Sequence, residues 1–352
     1  TPLPIPDLKD YASFAFEGSD RPASTTMTFT RIVSGLLRNK QLGPKIIPIV
    51  ADEARTFGMA NLFQQVGIYS PVGQLYEPED SSTILSYKEA KDGQLLEEGI
   101  NEAGALSSWV AAATSYANHN FPTLPFYIFY SMFGFQRVGD LIWAAADQMP
   151  RGFLIGATAG RTTLSGEGLQ HQDGSSQLIA STIPNLKSYD PCFAYEVATI
   201  FHHGAKRMME QFCNEFYYMT VGNEKYNSPQ APEGIEEKIM QGGYVFEEDK
   251  QDINVNLLGS GTILREAIEA AKILKEEFNI GSKVCSITSY SELSKQAREV
   301  ERTNRFTTTE QKQSSNIQNL IDNEVPIIAV SDYTRAYSQL ISSYVKNTFI
   351  AL

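Results

Sequence analysis

Glu102 is the residue whose position in the sequence most clearly suggests chemistry. It precedes an uncharged run, residues 103–117, in which Leu106, Trp109 and Val110 recur at helical spacing. The pattern predicts a buried helix that begins at Glu102. The helix N-terminus favours the carboxylate anion and burial favours the neutral acid, so Glu102 is a candidate catalytic acid. The same position also suits a capping residue that only satisfies backbone donors, and the sequence leaves both roles open.

Three polar segments provide further candidate groups. Residues 51–58 follow one apolar strand-like run, residues 130–140 begin where an aromatic run ends, and residues 161–174 are rich in glycine. Loops that carry several polar groups at strand ends commonly build functional sites. The third segment contains His171, the best histidine candidate for proton transfer, although a purely structural role in the loop accounts for it equally well.

The composition excludes several functional classes. A net charge of -12 argues against a nucleic-acid or anionic-membrane surface, and no apolar run reaches the roughly 18 residues of a membrane span. The three cysteines lack the spacing of a zinc site or a disulfide framework and predict reduced thiols in the cytoplasm. The adjacent His202 and His203 would point to different faces of a helix, so no metal site is predicted.

Short apolar runs alternate with helix-length segments along the chain, which predicts an α/β fold with mostly parallel sheets. Residues 222–250 differ in composition, with more glycine, proline and acidic residues, and are interpreted as a linker between two such units. Gly259 and Gly261 precede a predicted helix, but without a third glycine a plain strand-to-helix turn is favoured over a phosphate loop. The strand candidates lie at 45–50, 125–130, 152–156, 215–220, 253–258, 283–288 and 326–331.

Several long motifs resemble one known family, the homodimeric bacterial-type pyruvate dehydrogenase decarboxylating component. The resemblance runs essentially end to end and is stronger than an analogy of fold. The motifs that carry it are residues 51–59 (ADEARTFGM), 98–102 (EGINE), 126–137 (FYIFYSMFGFQR), 166–171 (GEGLQH), 290–293 (YSEL) and 330–333 (VSDY).

The resemblance implies a thiamine diphosphate enzyme of the transketolase superfamily. Residues 1–230 would form the pyrimidine-binding middle domain, with the thiamin diphosphate-binding fold. Residues 231–352 would form part of a transketolase-like C-terminal domain. The family's Gly-Asp-Gly motif, which holds Mg²⁺ and the diphosphate, does not occur in this sequence. The diphosphate-binding domain is therefore expected to lie outside this chain, and the isolated chain is expected to be inactive.

The family also implies roles for six residues. Glu102 would donate a hydrogen bond to the pyrimidine ring of the cofactor, and Tyr130 and Phe133 would pack against that ring. His171 would act on the substrate side, in pyruvate handling or in transfer to the lipoyl group. Glu53 and Arg137 match polar positions at the family's cofactor or subunit interface.

The implied partners are a second subunit, pyruvate, and the lipoyl domain and acyltransferase core of a multienzyme complex. Two other functions stay open. One is another thiamine diphosphate enzyme of the same superfamily, such as a sugar ketol transferase, which residues 130–137 disfavour. The other is a non-catalytic assembly module.

Overall fold

The computed structural model describes residues 2–164, 166–249, 252–308 and 311–352. The strands are β1 (Ser19–Ala23), β2 (Ile46–Val50), β3 (Ile68–Tyr69), β4 (Glu89–Ala90), β5 (Leu96–Glu97), β6 (Leu124–Tyr130), β7 (Phe153–Ala157), β8 (Leu186–Tyr189), β9 (Phe216–Thr220), β10 (Tyr226–Ser228), β11 (Tyr244–Glu248), β12 (Val255–Gly259), β13 (Ser282–Ser286), β14 (Ile327–Val330) and β15 (Phe349–Ala351). The helices are α1 (Leu8–Ala12), α2 (Thr25–Leu37), α3 (Ala60–Gln65), α4 (Glu102–Ala113), α5 (Ser115–Asn118), α6 (Phe135–Asp147), α7 (Ser176–Ala180), α8 (Ala194–Met209), α9 (Glu236–Met240), α10 (Leu264–Phe278), α11 (Tyr290–Asn304), α12 (Asn316–Leu320) and α13 (Arg335–Ser338).

The predicted α/β fold with two mostly parallel sheets is confirmed. The first sheet has six parallel strands in the order β5-β2-β6-β7-β9-β8. Two of its inner strands, β7 and β9, are buried along their whole length, as expected for a parallel sheet covered by helices on both faces. The four strands predicted in this half of the chain correspond to β2, β6, β7 and β9.

The helix predicted to begin at Glu102 is present as α4, but it ends at Ala113 and not at residue 117, and it is buried on one face only, with Val110 half-buried. Its Trp109 is fully buried, and the indole Nε1 donates a hydrogen bond to the carbonyl oxygen of Phe153 in β7 at 3.0 Å. This contact satisfies the polar atom of a large buried ring and attaches α4 to the centre of the sheet. The first turn of α4, which carries Glu102, is thereby held near the ends of the parallel strands.

The second sheet has five strands in the order β11-β13-β12-β14-β15, all parallel except the edge strand β11. The strands predicted near 253, 283 and 326 are confirmed within a few residues. The stretch 222–250, interpreted as a linker, instead contains β10, α9 and β11. Residues 244–248 form the strand β11 because they hydrogen-bond to β13, although their local sequence resembles a connection.

Buried carboxylates lie where the two sheets meet. Glu196 in α8 is fully buried and accepts hydrogen bonds from the hydroxyls of Tyr244 (2.8 Å) and Ser286 (2.6 Å), both in the second sheet. Asp190, which follows β8, accepts from Thr220 (2.7 Å) and from Ser260 (2.9 Å) in the turn after β12. Burial raises the pKa of both carboxyls, that of Asp190 to about 7.

The carboxyl of Asp190 should make the chain less stable as the pH rises from about 4 to about 7. The pKa of about 7 in the folded chain exceeds the value of about 3.9 in an unfolded chain. The folded chain therefore keeps a proton that the unfolded chain has released, so this stability is fully present below pH ~4 and lost towards pH ~7. A difference of about three pKa units corresponds to a loss of at most ~4 kcal/mol in the free energy of unfolding.

Replacing Asp190 with Asn should remove this loss, because the amide does not ionise. The measurement is urea unfolding of both proteins at about pH 4.5 and pH 8. The free energy of unfolding of the Asp190→Asn variant, minus that of the unsubstituted chain, should be more positive at pH 8 than at pH 4.5, which means that the variant is relatively more stable at the higher pH. A difference that is the same at both pH values would show that Asp190 does not cause the loss.

Within the described ranges, the structure contains no helix that is both long and apolar enough to cross a membrane. The Gly259–Gly261 segment forms the predicted strand-to-helix turn between β12 and a 3-10 helix, Gly261–Ile263. Gly261 has a φ of 52°, and a Cβ atom there would lie 2.6 Å from Oδ2 of Asp190. The turn therefore needs glycine because it packs against Asp190, which is a structural reason for the residue.

Candidate active site

A cavity of about 180 Å³ opens at the carboxyl ends of β2 and β6. This edge of a parallel sheet is the usual place for a binding site. Its lining residues are Ala51, Asp52, Glu53, Phe57, Ile100, Glu102, Ile128, Phe129, Tyr130, Phe133 and His171. Five of the six residues singled out in the sequence thus line one cavity, and the sixth, Arg137, contacts Glu102.

Glu102 is the first residue of α4, and its side chain is only 13% exposed. The helix cap is Asn101, whose side-chain oxygen accepts a hydrogen bond from the amide of Gly104 at 3.0 Å. Capping, the alternative considered for Glu102, is therefore the function of its neighbour. The Glu102 carboxylate instead forms an ion pair with Arg137 of α6 at the edge of the cavity.

Arg137 is placed by two contacts. Its guanidinium pairs with Glu102 and also lies over the ring of Phe133, 3.8 Å from the ring centre. A cation over an aromatic face is attracted by the negative charge of that face. The contact with Phe133 does not occupy the N–H groups of Arg137 that point to Glu102. The guanidinium can therefore pair with the carboxylate and contact the ring at the same time.

Aromatic rings form one wall of the cavity. Tyr130 ends β6, and Phe133 follows it in a short 3-10 helix, Ser131–Phe133. The two ring centres lie 5.8 Å apart, and the ring of Phe57 lies 5.1 Å from Tyr130. The spacing is typical of edge-to-face aromatic pairs, which hold the rings rigidly. Burial, reinforced by the negative charge of Glu53, raises the pKa of Tyr130, so its hydroxyl stays protonated at neutral pH.

His171 closes the cavity from a third element. It ends a 3-10 helix, Leu169–His171, and its ring lies 4.9 Å from that of Tyr130 and 5.2 Å from that of Phe133. Its Nδ1 lies 3.2 Å from the carbonyl oxygen of Glu167, so this nitrogen carries the proton when that hydrogen bond is made. The other ring nitrogen is then free to accept a proton.

Glu53 lines the cavity close to Tyr130, in the turn that follows β2. Its backbone φ is 65°, a left-handed conformation that is costly for a residue with a side chain. The Thr56 hydroxyl donates to its carboxylate at 2.6 Å. Strained residues of this kind concentrate in binding and catalytic sites.

Six of the lining residues were not singled out as site residues in the sequence, and Phe57 and Ile100 are two of them. Phe57 lies in the mostly polar segment 51–58, where a single aromatic residue gives no periodic signal. Ile100 is 77% exposed at the cavity mouth. A single exposed isoleucine is common on protein surfaces, so only its place in the motif 98–102 marks it in the sequence.

The fold places the chain in a known structural class. Transketolase from Campylobacter jejuni superposes with a TM-score of 0.66 at 16% identity, over 99% of this chain and 45% of that one. A structure described as "Split gene transketolase, inactive beta4 tetramer" has a TM-score of 0.60 at 16% identity, over 94% of this chain and 88% of that one. The chain therefore has a transketolase-like fold.

The sequence comparisons define the family more narrowly. Residues 3–229 match the family described as "Pyruvate dehydrogenase E1 component middle domain", and residues 242–351 match "Transketolase-like TK C-terminal domain". The pyruvate dehydrogenase E1 components of Pseudomonas aeruginosa and Escherichia coli K12 are 54% and 50% identical over 97% of this chain. The chain belongs to the pyruvate dehydrogenase E1 component family, and it spans about 39% of the length of these relatives.

Proposed function

We propose that this chain forms the pyrimidine side of the thiamine diphosphate site in a pyruvate dehydrogenase decarboxylating component. The complete enzyme would decarboxylate pyruvate oxidatively and transfer the acetyl group to a lipoyl group. The observation that carries the proposal is the cavity that joins the carboxylate of Glu102 to the aromatic wall of Tyr130 and Phe133. The E1 relatives that cover nearly the whole chain support the choice of pyruvate.

The lining of the cavity suits a flat, uncharged heterocycle such as an aminopyrimidine ring. Tyr130 and Phe133 offer apolar contact to a ring, and Glu102 offers a carboxyl at the edge of the same space. The chemistry supplied by bound thiamine diphosphate is that of a carbon nucleophile and electron sink for 2-oxo acids. On binding of the ring, Glu102 would exchange its ion pair with Arg137 for a hydrogen bond to the ring nitrogen and would share a proton with that nitrogen.

The same lining does not suit the diphosphate. Among the described residues that line the cavity, three are carboxylates, namely Asp52, Glu53 and Glu102, and none is lysine or arginine. An anionic diphosphate would be repelled there. We therefore place the diphosphate and Mg²⁺ on a separate domain of the complete enzyme, contributed across the interface of a homodimer.

The division into residues 1–230 and 231–352 is part of this proposal. Residues 3–229 and 242–351 match separate families, and the two parallel sheets fall on either side of that boundary. The split-gene transketolase of similar extent is described as inactive, which supports the inactivity of this chain by itself. The cysteines Cys192, Cys213 and Cys285 are unpaired, which supports a reducing compartment such as the cytoplasm.

The substrate assignment is tested with the complete enzyme. We expect turnover of pyruvate in the presence of thiamine diphosphate and Mg²⁺, and no turnover of a ketose phosphate. Transfer to the lipoyl domain of the acyltransferase core should follow in the same assay. Turnover of the ketose phosphate alone would favour the sugar ketol transferase, and binding of the cofactor without any turnover would favour an assembly module.

Replacing His171 with Ala in the complete enzyme should lower the rate of pyruvate turnover by roughly 100-fold, the scale of a lost proton-transfer group. The affinity for thiamine diphosphate should change little, because Tyr130, Phe133 and Glu102 remain. Steady-state kinetics and calorimetric titration of the cofactor provide the two measurements. An assay with an artificial oxidant, compared with one using the lipoyl domain, separates pyruvate handling from acetyl transfer.

The matched control is His119→Ala, because His119 is an exposed histidine outside the cavity. It should retain wild-type rates in both assays. If His171→Ala also retained them, the proposed role of His171 would be wrong, whereas the role of Glu102 would be unaffected.

A further inference from the structure

The carboxylate of Asp332 joins the second half of the chain to the segment that carries His171. Asp332 lies in the turn between β14 and α13 and is only 8% exposed. Its Oδ2 accepts a hydrogen bond from the amide of Arg161 at 2.7 Å, and its Oδ1 accepts from the hydroxyl of Thr162 at 2.8 Å. The amide of Thr162 also lies 3.1 Å from Oδ2. Hydrogen bonds to a charged acceptor are the stronger kind.

The backbone at Gly160 is shaped to admit this carboxylate. Gly160 has a φ of 88°, and a Cβ atom there would lie 2.1 Å from Oδ2 of Asp332. Any other residue would displace the carboxylate. The Arg161 guanidinium adds a further bond, from Nε to the carbonyl oxygen of Asp332 at 3.1 Å.

The far end of the same segment is attached next to Asp332. The amide of Thr334 donates a hydrogen bond to the carbonyl oxygen of Gly174 at 2.8 Å. The amide of Asp173 donates a hydrogen bond to the carbonyl oxygen of Gly160 at 3.1 Å. Both ends of the segment 160–174 are therefore held together and fixed to residues 332–334. His171 lies three residues from the second attachment, with its ring on Tyr130.

We propose that Asp332 is a positioning residue, which sets the position of His171 over the cavity from the opposite half of the chain. This inference rests on the proposed role of His171. Asp332 does not line the cavity and acts only through the backbone of the segment 160–174. A catalytic group displaced by about 1 Å can lose up to about 100-fold in rate, so the attachment has a large effect.

A double-mutant cycle in the complete enzyme, with Asp332→Ala and His171→Ala, tests the proposal. Asp332→Ala alone should lower pyruvate turnover by roughly 10- to 100-fold with unchanged cofactor affinity. In the His171→Ala background the same change should cost less than about 2-fold, because coupled residues are not additive. Equal losses in both backgrounds would overturn the proposal, since Asp332 would then act on the fold and not through His171.

Hydrogen exchange gives a second measurement that does not depend on activity. Asp332→Ala should lose protection at the amides of residues 161 and 162, whereas Thr163→Val should not. Thr163 is the matched control because it is an adjacent threonine outside the contacts that the structure describes for Asp332. Unchanged protection in Asp332→Ala would overturn the proposal. If His171→Ala were fully active while protection was lost, the attachment would stand and only the proposed role of His171 would fail.

Discussion

Replacing Glu102 with Gln in the complete enzyme should lower kcat for pyruvate by about 10²- to 10⁴-fold, the range measured for lost acid–base groups. The amide of Gln has nearly the size of the carboxyl but cannot give up a proton at neutral pH. It also removes the negative charge that pairs with Arg137. The fold should persist, because α4 is capped by Asn101 and attached by Trp109, neither of which the substitution touches.

Steady-state kinetics with saturating thiamine diphosphate measures this loss, and circular dichroism establishes that the fold is intact. The matched control is Glu98→Gln, four residues earlier. Glu98 accepts a hydrogen bond from the Ser108 hydroxyl, which the amide oxygen of Gln can also accept, and it does not line the cavity. Turnover within about 3-fold of wild type in Glu102→Gln would mean that proton transfer does not depend on this residue.

Much of the site could be predicted because its residues lie at the ends of regular elements. Apolar runs predicted β2 and β6, and the groups that follow such strands in a parallel sheet must meet at one edge. Glu53 and Tyr130 came together for this reason alone. The uncharged run after Glu102 predicted a buried helix, and its burial against β7 brought Glu102 to the same edge.

The contacts that were not predictable depend on tertiary packing. Arg137 meets Glu102 only because α6 lies beside α4, and helix spacing within one element says nothing about a neighbour 35 residues away. Asp332 is 170 residues from Thr162, and a lone aspartate in a turn has many ordinary explanations. Strand β11 was missed because its partner β13, and not its own sequence, stabilises it.

The negative charge on the cavity lining leads to the largest expected effect. The isolated 352-residue chain should be completely inactive. Calorimetric titration with thiamine diphosphate and Mg²⁺ should detect no binding tighter than a Kd of about 1 mM, which corresponds to only ~4 kcal/mol. The aromatic wall and Glu102 would contact a ring, whereas Asp52 and Glu53, the lining carboxylates that Arg137 does not pair with, oppose a diphosphate. Without bound cofactor, pyruvate decarboxylation should stay at the background rate.

The complete enzyme, titrated and assayed under the same conditions, is the positive control. Mixing the isolated chain with the separately produced remainder of the enzyme should restore cofactor binding and part of the turnover, because each would then supply the half of the site that the other lacks. When the added chain carries Glu102→Gln, cofactor binding through the diphosphate should return. Pyruvate turnover should not be restored. Turnover by the isolated chain alone would contradict the division of the site, since every group needed for catalysis would then lie within these 352 residues.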